Sequence, residues 1–466
     1  MAVISRLREV AVDRRHNSSD RILFGTMLAL SAFGLLMIYS ATRSTGSVGM
    51  ERQMIFVAAG LTVYAIVSNI DYREYRNLIP IISIAILIAL LAVYLFAPVN
   101  GAQRWIPLGF FKLQPAEFAK VAVILVLASL LSPNRDEIGR RQIGWPTVFQ
   151  VIAVTAVPAA LILLEPDLGT TLVFGFILLV MLFAGGATWR QMVALIAATA
   201  IGIFVTLQRG WLEGYQMDRI RVLISPETVD PTGIGYTLRQ SKFAIGSGQL
   251  FGRGLFAEGT QTSFEYVPEQ ETDFIFTAVA EQLGFVGAIL VLGAFAVIIW
   301  RLLVIAANAR DRFGALIATG LAAMMVFHVF VNVGMTIGIM PVTGLPLPFL
   351  SAGGSFYLAM TFALGVANSV WLMRTPVPGE NQLSQLISHC SDAIVAAAGV
   401  LQILANRLLR TVPYHGAGGL DHPTSQLQGL VQVLTVSHIV EDFEIGVAHA
   451  ANVTVVGVHS QLSSHP

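Results

Sequence analysis

The chain has 466 residues, 55% of them hydrophobic and only 12% charged, with a mean hydropathy of +0.71. Soluble domains carry about 25% charged residues, so a soluble multidomain protein is excluded. The 28 basic and 28 acidic residues cancel, which argues against a nucleic-acid partner, and the single cysteine, Cys390, excludes an intramolecular disulfide or a cysteine-rich metal centre.

A helix needs about 20 mostly apolar residues to cross the hydrocarbon. Ten stretches approach that length: Ile22–Ser40, Met54–Ile70, Leu78–Phe96, Ala116–Leu131, Val148–Leu164, Leu168–Phe183, Met192–Leu207, Phe274–Trp300, Phe313–Met340 and Phe356–Met373. The expected fold class is an all-α polytopic membrane protein of about ten transmembrane helices. The first stretch is too long for a secretory signal core and lacks a small-residue cleavage site.

Orientation follows from the positions of Lys and Arg. Arg6, Arg8, Arg14, Arg15 and Arg21 precede the first span. The even-numbered turns hold Arg73 and Arg76, then Arg135, Arg140 and Arg141, then Arg190, then Arg301, Arg310 and Arg312. The short odd-numbered turns hold fewer. Both termini are expected in the cytoplasm, with residues 1–21 a basic N-terminus and 22–374 the membrane domain. The connection 208–272, between helices 7 and 8, is then a large extracytoplasmic loop. Structureless loops of that length are uncommon unless functional. Its stretch Tyr236–Ile245 is amphipathic and suited to the membrane surface, while Gly246, Gly248, Gly252 and Gly254 fit neither nucleotide fingerprint and read as turn formers.

Residues 375–466 differ in composition, with no lysine, two arginines and seven of the nine histidines. Their histidines show no recognised metal spacing. They read as a cytoplasmic tail without an assigned role.

Charged residues within a span cost roughly 2.5–3.5 kcal/mol each on insertion scales, so they are functional candidates by default. Glu117 and Lys120 lie three apart on one helical face. They are either a self-neutralising pair or a polar floor for an anionic substrate, and one pair can serve both ends. Glu165 and Asp167 flank Pro166 in a tight turn, where Asp167 is suited to cap the next helix. Asp273 opens the eighth span beside Glu269 and Glu271. Helix capping is one reading; a general base whose pKa is raised by acids and burial is the other. Glu281 follows two turns deeper on nearly the same face. His328 and Asn332, one turn apart, suit an interhelical hydrogen bond or a proton relay. The run from Pro341 to Ser355 cannot be helical and reads as a re-entrant cavity wall. Ser351, Gly353, Gly354 and Ser355 would there offer unpaired groups to phosphate.

The segment Asn100-Gly101-Ala102-Gln103-Arg104-Trp105, continuing through Gln114-Pro115-Ala116-Glu117 to Lys120, resembles the signature of the SEDS family (shape, elongation, division and sporulation). So do Glu165-Pro166-Asp167-Leu168-Gly169-Thr170, Gln240-Ser241-Lys242 with Ile245-Gly246-Ser247-Gly248, Thr272-Asp273-Phe274-Ile275-Phe276, and the Pro/Gly-rich turn ending at Ser355. These ordered motifs cover residues 1–374, and the tail lies outside the resemblance. Gly109-Phe110-Phe111, and Asn332 to Thr336 followed by Pro341 to Gly344, are more similar to the elongation branch, RodA, than to the division branch, FtsW. Two positions depart from the pattern: Glu271, where the family often has His, and Ala352, where Tyr is common.

The resemblance implies a peptidoglycan glycosyltransferase of the bacterial cytoplasmic membrane. It would polymerise lipid II on the extracytoplasmic side, with a class B penicillin-binding protein cross-linking the product. The family's essential aspartate matches Asp273, its ion pair matches Glu117 and Lys120, and its motif arginine matches Arg104. In the corresponding mechanism Asp273 is the base, with Arg104, Lys120 and Lys242 facing pyrophosphate. A divalent cation (Mg or Mn) is compatible with the family, and no organic cofactor is expected. A lipid-linked precursor transporter and a non-catalytic scaffold are the rival classes. A transporter should show repeated halves with interrupted spans and midplane ionisable groups, and no internal repeat is apparent.

Overall fold

The computed structural model describes residues 19–43, 48–97, 103–109, 111–132, 142–209, 214–224, 233–264 and 266–374. The proposed tail therefore lies outside the described residues. Twelve α-helices, a 3-10 turn (Val93–Leu95) and a hairpin of two-residue strands are found among the described residues, and the chain is an all-α polytopic membrane protein. The helices are α1 Arg21–Ala41, α2 Val48–Ser68, α3 Tyr72–Ala92, α4 Pro115–Leu131, α5 Trp145–Leu164 and α6 Leu168–Ala184, then α7 Trp189–Arg209, α8 Gly214–Ile224, α9 Ile234–Gly248, α10 Ile275–Ala307, α11 Arg312–Ile337 and α12 Gly354–Leu372. Strands β1 (Ile106–Pro107) and β2 (Lys112–Leu113) pair antiparallel just before α4.

Eight of these helices, α1–α3, α5, α7 and α10–α12, are long and apolar enough to cross a bilayer. The other two expected spans, α4 and α6, have 17 residues each and pack among them. The interior is built on α11 and α12, whose apolar stretches are 72% and 83% buried against 11% for α3 and α7. The peripheral helices present Ile81, Ile84, Ile88, Ile196 and Ile203 outwards, as a lipid-facing surface does.

Several boundaries move because of capping. Asp71 accepts a hydrogen bond from the Arg73 amide, so α3 begins at Tyr72 rather than Leu78. Gly338, at φ 79°, ends α11 in the left-handed conformation, two residues before the expected Met340. Gly284, at φ 67°, interrupts α10 and leaves the Phe285 and Val286 amides to donate to the carbonyls of Gln249 and Leu250. The expected loop 208–272 contains α8 and α9, and the latter includes the amphipathic stretch Tyr236–Ile245.

Polar bonds tie the helix ends together at one end of the bundle. Arg301 reaches Asp20, the N-cap of α1, through Nε at 2.9 Å and Nη2 at 2.8 Å. Asp311 caps α11 and accepts from the Tyr72 hydroxyl at 2.9 Å. Arg76 and Arg312 donate to the carbonyls of Ser132 and Gly185, beyond the C-terminal ends of α4 and α6. Cations at those positions also complement the helix dipole.

Candidate functional site

The opposite end of the bundle is organised around the turn 341–353. Its composition forbids a helix, so its carbonyls need side-chain donors. Three side chains supply them. Arg219 of α8 donates to Thr343 O at 3.0 Å, Asn332 of α11 to Leu345 O at 2.7 Å, and His328 Nδ1 lies 3.3 Å from Pro346 O. From below, α1 comes so close at Gly34 that a Cβ there would stand 2.3 Å from Phe349 O.

Asp273 lies just before α10, its main-chain carbonyl accepting from Asn332 Nδ2 at 2.8 Å. Its carboxylate packs over Gly344, where a Cβ would sit 3.1 Å from Oδ2. Burial and the neighbouring Glu269 push its carboxyl up to about 7, Asp167 adds to the rise, and the Arg219 and Arg104 guanidinium groups oppose it. The group is thereby poised for proton transfer near neutrality.

Arg104 belongs to the segment before β1 and is turned towards the α5–α6 connection. Its Nε donates to Glu165 O at 3.1 Å and its Nη2 to Pro166 O. Asp167 caps α6 as its position suggested, accepting from the Thr170 amide at 3.0 Å and the Thr170 hydroxyl at 2.9 Å. Its charge nevertheless reaches both Glu165 and Asp273.

Glu117 and Lys120 form an ion pair of 2.6 Å, with the Lys120 side chain wholly buried. Lys120 Nζ also lies 3.0 Å from His328 Nε2. With a charged Lys120 donating to Nε2, the imidazole carries its proton on Nδ1 and donates to Pro346 O. The pair thus continues through His328 into the turn that faces Asp273. The neutralising reading of the pair is what these contacts display.

Other candidates make contacts within the protein. Glu281 accepts from the amides of Gln261 and Thr262, both at 2.8 Å, and from the Thr262 hydroxyl at 2.5 Å. It fastens the loop after α9. Lys242 is exposed and lays its ammonium against Gly338, at the negative end of the α11 dipole. The expectation of unpaired groups in the turn is corrected at its far end. Ser351 Oγ accepts from the Leu347 amide, and the Ala352 and Gly353 amides donate to Glu271 O and Gln53 Oε1. Ser355 Oγ bridges Lys112 O and the Gln114 amide. Gly354 abuts the Phe56 ring, which leaves no room for a Cβ. Fixing irregular backbone occupies the Ala352 and Gly353 amides and the Ser355 hydroxyl.

Arg219 is a site neighbour that the sequence reading did not single out. Its available signal was a basic, helix-compatible stretch inside the long loop, between glycines at 214 and 233. A separate cavity of about 220 Å³ lies between the end of α1 and the 256–263 segment, lined by Ser40, Arg43, Phe256, Glu258 and Gln282 among others, and none of the candidate site residues lines it.

Comparison with known proteins identifies the family. A peptidoglycan glycosyltransferase MrdB of Escherichia coli strain K12 is 38% identical over 365 residues, covering 77% of this chain and 94% of that protein. A peptidoglycan glycosyltransferase RodA of Treponema pallidum is 33% identical over 426 residues, 75% of this chain and 97% of its own. Among solved structures, one described as structural coordination of polymerization and crosslinking by a peptidoglycan synthase complex matches with a TM-score of 0.65 and 30% identity, over 76% of this chain and 98% of that one. The rod shape determining protein RodA of Thermus thermophilus matches with a TM-score of 0.57 and 28% identity, over 77% and 99%. Residues 20–374 fit the profile of the FtsW/RodA/SpoVE cell cycle proteins, and the chain belongs to that family.

Proposed function

We propose that this chain is a peptidoglycan glycosyltransferase of the elongation type, polymerising lipid II into glycan strands at the extracytoplasmic face of the bacterial cytoplasmic membrane. The observation that carries the reading is Asp273: a carboxyl held near a pKa of about 7, packed over Gly344 and within the field of Arg104 and Arg219. The names of the relatives support the reaction class. The gathering of Arg76, Arg301 and Arg312 at the opposite end supports the orientation.

In this mechanism the Asp273 carboxylate takes the proton of the acceptor sugar hydroxyl. The resulting oxygen attacks the anomeric carbon of the donor sugar, and the bond from that carbon to the polyprenyl pyrophosphate breaks. The leaving group departs with its electron pair, and cationic groups near it stabilise the developing charge. That role is assigned to Arg104, whose charge also acts on the Asp273 carboxyl. Lys120 is already engaged with Glu117 and His328, so it acts through the turn that it supports. A single displacement inverts the anomeric centre.

A divalent cation, Mg or Mn, would supply further charge to the pyrophosphate. Among the described residues no group of three or more His, Cys, Asp or Glu converges as a metal site, and each Asp167 oxygen already accepts a hydrogen bond from Thr170. The residues do not fit a protein-built metal centre, and no step is assigned to a cation. The partner that fits is a class B penicillin-binding protein, by analogy with the polymerising and cross-linking complex.

The test is polymerisation of lipid II by purified full-length protein in detergent, with and without a chelator and without the transpeptidase. Polymer is expected from the wild type and none from Asp273→Asn at equal expression. A transporter or a scaffold makes no polymer where there is no bilayer to cross. Undiminished turnover by Asp273→Asn removes that residue from the mechanism.

A further inference from the structure

Glu165, the C-terminal cap of α5, is only 1% exposed, yet among the described residues neither of its carboxyl oxygens has a hydrogen-bond partner. Buried polar groups are overwhelmingly bonded, so an orphaned carboxyl demands an explanation. Ionisable groups approach it from every neighbouring element. Asp167 lies two residues on in its own turn. Arg104 comes from the segment before β1, and Tyr94, from the 3-10 turn after α3, donates to Leu161 O at 2.8 Å. On α4 the Glu117–Lys120 pair stands beyond Asp167, whose charge Glu117 feels. Arg104 bonds the peptide carbonyls of Glu165 and Pro166 rather than the carboxylate.

We propose that Glu165 is a further binding residue of the reaction set out above: as the neutral acid it donates its O–H to an anionic oxygen of the substrate, beside the Arg104 guanidinium. The inference rests on that reading of the function. A carboxylic acid is both donor and acceptor, and next to a fixed guanidinium it completes a cradle for a pyrophosphate oxygen without adding negative charge. Burial pushes its carboxyl up to about 8, the Asp167 charge contributes to the rise, and Arg104 opposes it. Ionisation would set a carboxylate against the substrate's own charge and weaken binding.

The experiment is the detergent polymerisation assay, run with lipid II from about pH 6 to about pH 9. The wild type should lose kcat/KM above about pH 8, chiefly through a rise in KM. Glu165→Gln keeps a donor and cannot ionise, so that alkaline loss should vanish. Glu165→Ala should raise KM on the order of tenfold with kcat much less affected, and Glu165→Gln should raise it less. An alkaline limb that persists in Glu165→Gln overturns the proposal, as does an Ala variant with the wild-type KM. Should the Ala variant fail to fold, the pH profile of the near-isosteric Gln variant decides alone. A wild type that makes no polymer at any pH defeats the functional reading itself, a result distinct from either.

Discussion

Asn332 and Asp273 are joined through the main chain: the Asn332 amide donates to Asp273 O at 2.8 Å and, from the same nitrogen, to Leu345 O at 2.7 Å. One side chain thus fixes the start of α10 against the irregular turn, and with it the distance from the Asp273 carboxylate to Gly344. Replacing it by Ala frees two carbonyls, one of them buried, and lets the aspartate drift. Misplacement of a catalytic group by about 1 Å can cost on the order of a hundredfold. Asn332→Ala should therefore lower kcat by at least about tenfold with a smaller change in KM. Single-turnover kinetics on folded, monodisperse protein checks this, and an unchanged kcat would remove Asn332 from the positioning of Asp273.

The membrane class, the apolar stretches and the Glu117–Lys120 pair were legible because each rests on local composition or spacing, whereas Arg104 stood out only through the family resemblance. Helix starts at Tyr72 and Gly214 were not legible, since a cap or a polar amphipathic segment overrides hydropathy. The roles of Glu281 and Ser351 were beyond local reading for another reason. Spacing places a polar group on a face, but only the fold decides whether its partner is a substrate or the chain itself. Glu165 illustrates the converse. Its importance comes from the lack of a partner, which no sequence shows.

The acid limb of the rate profile should belong to Asp273. A base must be ionised, so kcat/KM should rise with pH through about 7. Glu269 raises this carboxyl and Arg219 lowers it, so their removal should act in opposite directions. Glu269→Gln should move the limb to lower pH and Arg219→Gln to higher pH. Profiles that shift in the same direction would show that the electrostatic ordering around Asp273 is wrong.

Both raised carboxyls also bear on stability. Each binds more protons folded than unfolded, so its contribution is complete below the unfolded pKa and is lost as pH rises through the folded one. For Asp273 that window runs from 3.8 to about 7, and for Glu165 from 4.5 to about 8. The melting temperature in detergent should accordingly fall across these windows as pH rises. Glu165→Gln should remove part of the fall and melt above the wild type at alkaline pH. A flat wild-type profile would contradict the assignment.

Lys120 touches Glu117 at 2.6 Å and His328 at 3.0 Å, wholly out of contact with solvent. Removing one member of a buried pair strands the other, at a cost of about 3–5 kcal/mol. Lys120→Met and Glu117→Gln should each destabilise strongly, whereas the double variant should lose much less than the sum of the two. A double-mutant cycle on thermal melting measures the coupling. Additive losses would mean that the two side chains do not act as a pair.

Glu281 is a test of structural rather than chemical function. Its Oε1 accepts from the Gln261 amide, and its Oε2 from the Thr262 amide and hydroxyl, all from a segment far along the chain from α10's deeper turns. A Gln side chain offers one good acceptor where the carboxylate offers two, and its amide nitrogen would face a donor. Glu281→Gln should therefore release one of these amides, with hydrogen–deuterium exchange around residues 260–263 rising at least about tenfold while the transmembrane helices stay protected. Polymerisation should fall only as far as the loosened loop disturbs the Asp273 end of α10. Wild-type exchange together with a selective loss of activity would instead place Glu281 in contact with the substrate.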